Sequence, residues 1–276
     1  MSKEMPFKFE DVSKCLDEIT FIQPKKNDIV PNQLISIPKL KGRMLDIQLP
    51  FIKMIHGGFP QKGNSLYESF LQRANAVSIP LVYKEEIYNF FVELQKKIEN
   101  EMDVLVPEEY KGKVEFQDII REYENQKKAE IYHSFRARLA LKINDLKNED
   151  YKIETSVWKK NANSVTEIEV NTVEDVEKII RYGSEVQLII RLNKMYISTK
   201  NEGTKKEPKF KMGVTFKIMA VQTKDISTNS NVDYKHKYAF NDNDDDDDND
   251  NVNVTGGPVI NTDNLDEIDE TDNVDS

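Results

Sequence analysis

The sequence predicts an α+β fold dominated by antiparallel strands, and three observations carry that expectation. Apolar and polar side chains alternate with a period of two through 135–143, 151–160, 185–197 and 209–222, the signature of half-buried strands. Residues 84–103 instead carry one apolar stripe at helical spacing. Beyond Asn241 the chain is strongly acidic and low in apolar residues, so folding is assigned to residues 1–240 as one domain and 241–276 to a disordered acidic tail.

Residues 7–20 place Phe9, Val12, Leu16 and Ile19 at helical spacing, and prolines 24, 31 and 38 then cut the chain into extended pieces. Leu45, Ile47 and Leu49 alternate with Asp46 and Gln48 up to Pro50, which reads as a strand within 44–55. The glycine pair in His56-Gly57-Gly58 marks a turn rather than an oxyanion hole. Residues 76–83, interrupted by Pro80, suit an edge strand. In 84–103 the residues Ile87, Phe90, Phe91, Leu94 and Ile98 form the helical stripe, and a second helix is expected over 116–128 with Ile119, Ile120 and Tyr123 inward.

Strand periodicity then takes over. Phe135, Ala137, Leu139, Leu141 and Ile143 share one face, as do Tyr151, Ile153, Thr155 and Val157. A turn at 161–164 returns the chain over 165–170. Thr172 opens a short helix ending before Gly183, and long strands follow at 185–197 and 209–222, separated by a lysine-rich loop, 199–207. Hairpins, a short helix and further strands suit a small, strongly curved antiparallel barrel of the oligonucleotide-binding (OB) type. Its strands are expected at about 40–55 and 134–222, with 84–128 as a helical insertion. A ferredoxin-like sheet is the alternative.

Charge points to a partner. The chain's 49 acidic and 39 basic residues give a net charge of −10, but 14 of the acids and none of the lysines or arginines lie in 241–276. Without that tail, 35 acids face 39 basic residues, so a body of +4 is joined to a tail of −14. A basic domain trailed by a polyanion suggests a protein that handles another polyanion, nucleic acid first. One cysteine, Cys15, offers no disulfide framework and suits a reducing compartment. No signal peptide and no apolar run of about twenty residues is evident, so a soluble, cytoplasmic protein with no membrane partner is expected.

The three histidines and Cys15 show no metal-ligand spacing. Neither a phosphate-binding loop nor a nucleophile elbow occurs. A binding protein without catalytic residues, metal or cofactor is the expectation.

The outward strand faces carry the candidate site. Arg136, Arg138 and Lys142 oppose the first apolar set, Lys152 and Lys160 the second, and Lys209, Lys211 and Lys217 the last, with Arg191, Lys194 and Tyr196 on 185–197. The only tryptophan, Trp158, falls in the outward register beside Lys160. Converging basic faces can track a phosphate backbone, and an outward tryptophan can stack a base. The bland alternative is an ordinary solvated sheet face, with Trp158 covering the helical block.

The segment Phe135-Arg136-Ala137-Arg138-Leu139-Ala140-Leu141-Lys142-Ile143-Asn144 resembles the basic strand that opens the barrel in single-stranded-DNA-binding proteins of large cytoplasmic DNA viruses, the poxvirus and African swine fever virus type. The run 183–197 and Phe210-Lys211-Met212-Gly213-Val214-Thr215-Phe216 resemble their closing strands. The resemblance covers roughly 130–222. It implies an OB barrel that coats single-stranded DNA during replication at a viral or plasmid replication site, with Arg136, Arg138, Lys142, Lys211 and Lys217 facing the DNA. The tail is similar in style to those of phage and bacterial single-strand binders, which compete with DNA and recruit replication proteins. This one ends Asp272-Asn273-Val274-Asp275-Ser276, without the hydrophobic tip usual there. Self-association on DNA is a further expectation. RNA binding and a structural or scaffold role are the alternatives.

Overall fold

The computed structural model describes residues 5–28, 30–60, 67–81, 84–125, 130–145, 148–160 and 164–224. The acidic tail, most of the predicted turn at 161–164, the end of the predicted strand 76–83 and the end of the predicted helix 116–128 lie outside the described residues.

The N-terminal third is a series of short pieces: β1 (Phe7–Lys8), α1 (Phe9–Ser13), β2 (Ile19–Phe21), β3 (Lys25–Lys26), β4 (Gln33–Ser36), β5 (Pro38–Leu40), β6 (Arg43–Met44), β7 (Asp46–Gln48) and β8 (Ile52–Lys53). The middle contains α2 (Phe70–Ala74), β9 (Val77–Pro80), the long helix α3 (Glu85–Leu105), β10 (Val114–Phe116), β11 (Ile120–Asn125) and β12 (Glu130–Leu139). The last third contains β13 (Leu141–Asp145), β14 (Asp150–Ile153), β15 (Ser156–Lys160), β16 (Val165–Ile168), α4 (Val173–Ile179), β17 (Glu185–Ser198) and β18 (Phe210–Lys224).

The antiparallel ribbon β17–β18 organises the molecule. Fourteen and fifteen residues long, these strands outrun any single neighbour, so each is flanked by a succession of short ones. The outer edge of β17 pairs in turn with β8, β7 and β4, all antiparallel. The outer edge of β18 pairs with β10, β12 and β15, all parallel. Register shifts at Ile189/Ile190 and Leu192/Lys194 bend and twist the ribbon, as bulges do.

The expected alternation sorts its two faces. Val186, Leu188, Ile190, Leu192, Met195 and Ile197 are fully buried. Helix α3 lies over this side: Phe91 meets Phe135 of β12 and Phe216 of β18, with ring centroids 4.4 and 5.4 Å apart, while Phe90 meets Phe9 at 5.4 Å. The stripe Ile87, Phe90, Phe91, Leu94 and Ile98 is core, as its spacing predicts. At the turn 56–58, Gly58 exchanges backbone hydrogen bonds with Ser78 of β9. Gly57 sits at φ +76°, where a Cβ would fall 2.6 Å from the Ser78 carbonyl. The glycine pair therefore serves close backbone approach.

Four expectations need correction. The segment 116–128 is not helical in its described part. Ile120–Asn125 pairs with Glu130–Phe135 over six rungs, and that non-local pairing overrides the local preference of Arg121, Glu122 and Glu124 for helix. The helix over 7–20 is one short turn: after Ser13 the chain leaves it, and Ile19–Phe21 pairs with Pro38–Leu40. Phe9, Val12 and Ile19 are nevertheless buried. The predicted strand 135–143 breaks at Ala140. Its N–H donates to Thr155 Oγ1 at 2.9 Å, its carbonyl accepts from Glu154 and Thr155, and Thr155 Oγ1 donates to the Ile218 carbonyl at 2.7 Å. Beyond this junction β13 pairs with β14 in a separate sheet. Finally, among the described residues the sheets do not close into a barrel. The main path runs β1-β7-β17-β18-β12-β11 and ends at both sides without returning on itself. The fold is mixed α+β, mostly strands with few helices.

Candidate nucleic-acid interface

The polar face of the ribbon brings three predicted cations into one row. Arg138 of β12 pairs with Lys217 of β18, which pairs with Arg191 of β17, which pairs with Asp46 of β7. All four side chains are half-buried. Asp46 holds Arg191 through two hydrogen bonds, 2.6 Å from Nε and 2.8 Å from Nη2, and that bonding raises the guanidinium pKa further, against the opposing effect of burial.

Trp158 belongs to the same face, about four residues along the ribbon. Its register partners are Glu167 of β16 and Gln222 of β18, and Gln222 pairs with Gln187 of β17. Gln187 and Arg191 are about 13 Å apart at the usual strand rise. Trp158 is half-buried. Lys160, two residues on, is exposed and pairs in register with Lys224, a cation that the sequence pattern does not single out.

Other predicted residues go elsewhere. Lys194 has the outward register but is 6% exposed, and its Nζ donates to Gln33 Oε1 at 3.1 Å. Tyr196 lies over Gly213, where a Cβ would come within 2.9 Å of the phenol oxygen. Its hydroxyl bonds Gln117 Oε1. Lys211 pairs with Glu202 at 2.8 Å. Arg136 donates to the Tyr67 hydroxyl at 3.2 Å. Lys142 and Lys152 are exposed and directly opposite each other, but on the separate β13–β14 hairpin.

Lys209 is exposed in the β17–β18 loop, which Asn201 organises. The Asn201 Oδ1 accepts from the backbone N–H groups of Gly203 and Lys209, and its Nδ2 donates to the Thr204 carbonyl. The loop also exposes Lys205 and Lys206. The sequence marks this loop as lysine-rich but does not assign these two to the site. Among the described residues, no cluster of three or more His, Cys, Asp or Glu is arranged to hold a metal, and no helix is long and apolar enough to cross a membrane.

No protein-family model and no curated protein sequence matches the chain. Among solved structures, the chain is similar to the single-stranded DNA-binding protein from bacteriophage Enc34, over 79% of this chain and 99% of that one, at 11% identity and a TM-score of 0.28. An overlap that low supports no argument about fold or function. The protein found is a phage protein, so it adds nothing to the resemblance of 130–222 to proteins of large cytoplasmic DNA viruses.

Proposed function

We propose that this chain is a sequence-tolerant, non-catalytic single-stranded DNA-binding protein that protects DNA during replication, in the setting of a cytoplasmic viral or plasmid replicon. The observation that supports it is the joint placement, on one polar sheet face, of the Arg138–Lys217–Arg191 row and the half-buried Trp158. Cations of this kind neutralise phosphates without reading sequence. A half-exposed indole requires an unstacked base, which favours single strands over duplex. The ribbon, bent by its two register shifts, is the part of the fold on which an OB-type binding face would rest.

The acidic tail fits this reading as a competitor. The last described residue, Lys224, lies beside Lys160 and two positions from the Trp158–Gln222 pair. Seventeen residues, 225–241, separate it from the first acid run at Asp242, and such a segment spans up to about 60 Å. The cation row is seven strand residues back, about 23 Å away. On this proposal the tail covers the row when DNA is absent, and once displaced it is free to recruit replication proteins.

The test is a titration of Trp158 fluorescence with oligo-dT and with a matched oligo-U RNA, for the full chain and for the chain ending at Phe240. Quenching by oligo-dT that weakens with salt, and tighter binding without the tail, are expected. A stronger response to oligo-U would reassign the protein to RNA. No retention on single-stranded DNA at low salt would leave the structural or scaffold reading. Unchanged affinity on tail removal would end the competition model.

A further inference from the structure

The Trp158 end of the polar face holds a second aromatic. Phe51 follows Pro50 in the connection between β7 and β8. The next residue, Ile52, is fully buried and pairs with Val186, while Lys53 is exposed and pairs with Glu185. Alternation therefore puts Phe51 on the side of Lys53, the polar one.

Like Trp158, Phe51 is half-buried. Cations meet its ring. Lys224 Nζ stands 4.7 Å from the ring centroid and Lys160 Nζ 5.7 Å, and these two lysines are direct register partners. Trp158 lies two residues before Lys160, on the same side of β15. Two half-buried rings and two ammonium groups thus share one end of the face.

Building on the single-strand reading above, we propose that Phe51 is a second base-stacking platform, with Lys160 and Lys224 as the phosphate contacts that flank it. In the free protein the ammonium groups meet the ring through cation–π attraction. A nucleobase takes over the ring face, and the displaced ammonium remains within reach of the phosphates on either side of that base. Lys224 also pairs with Glu185 at 2.5 Å, but both side chains are well exposed (49% and 43%), so releasing this pair costs little. Neighbouring bases of one strand would then stack on Trp158 and Phe51, with phosphates running on toward Lys217 and Arg138.

The experiment compares the full chain with Phe51→Ala, Phe51→Trp and Lys160→Gln/Lys224→Gln, measuring the anisotropy of labelled oligo-dT and of an abasic strand of equal length. Phe51→Ala should weaken oligo-dT binding by about 5- to 150-fold, the ratio equivalent to one lost stacking contact, and leave abasic binding unchanged. Phe51→Trp should restore it. The lysine pair should weaken both strands and lower the salt slope by about 1.4, or 0.7 per phosphate contact.

Equal loss on both strands, or no loss on either, for Phe51→Ala overturns the assignment, as does failure of Phe51→Trp to rescue. The single-strand reading fails separately, and visibly, if the unaltered chain binds neither strand. If the unaltered chain prefers oligo-dT over abasic DNA and Phe51→Ala keeps that preference undiminished, only the Phe51 inference falls.

Discussion

Trp158 and Tyr196 sit at opposite ends of the same ribbon face, and their surroundings differ. Both are aromatic, both have the outward register, and both stand two positions from a lysine. Tyr196 is held on both sides, with its ring over Gly213 and its hydroxyl on Gln117. Nearby Lys194 is buried against Gln33. Trp158 has Glu167 and Gln222 as its register partners, with exposed Lys160 two positions on. Alternation settles which side of a sheet a residue takes. It does not settle whether that side is covered.

The largest effect that would break the comparison is on binding at the open end. Trp158→Ala should weaken oligo-dT binding about 5- to 150-fold, the equivalent of about 1–3 kcal/mol for one stacking contact, read from the anisotropy of a labelled strand. A loss no greater than that of Tyr196→Phe would make the two ends equivalent. At the closed end the effect belongs to stability. Gly213→Ala places a methyl against the Tyr196 ring, and overpacking of this kind costs about 1–3 kcal/mol, measurable by urea unfolding. Removing the ring in Tyr196→Ser should recover part of that loss in the double variant, because contacting residues are not additive.

Tyr196→Phe keeps the ring and deletes the bond to Gln117, so it should cost about 0.5–1.5 kcal/mol of stability with oligo-dT affinity unchanged. A matching drop in affinity would turn Tyr196 into a second open platform.

The smallest effect is a pH dependence away from both ends. His56 and Tyr123 lie in an aromatic cluster with Tyr132, with ring centroids 4.8–5.3 Å apart. Among the described residues, neither His56 Nδ1 nor Tyr123 Oη has a hydrogen-bond partner. Burial lowers the His56 pKa from its ordinary 6.5 and raises that of Tyr123 above its ordinary 10. Below pH 6.5 the unfolded histidine takes up a proton that the folded one resists, so stability falls as pH drops from 6.5 toward the folded pKa. Above pH 10 the unfolded phenol ionises first, so stability falls again. His56→Phe should flatten the acid limb of a melting-temperature profile while leaving oligo-dT binding at pH 8 unchanged.

Much of the framework was readable in the residues. The stripe of α3, the inward sets of β17 and β18, the capping of α4 at Thr172 and the outward placement of Trp158 all follow local periodicity, and the structure has them. The misreadings share one cause. Residues 120–125 suit a helix locally, and only their pairing with 130–135 makes them a strand. Residues 135–143 alternate without interruption, and only the bonds from Glu154 and Thr155 break them at Ala140 and send Lys142 to another sheet. Phe51 and Lys224 carry no signal along the chain that they come together.

The sequence by itself determined the charge division between body and tail, the strand-rich α+β class and the side most long-strand residues take between register shifts, because composition and side-chain direction are local properties. Tertiary structure alone decided which cations share a row, that Tyr196 is held by Gln117, and that the sheet stays open among the described residues. Those outcomes depend on hydrogen-bond pairing between segments as far apart in sequence as Gln33 and Ser198, and periodicity carries no information on partners.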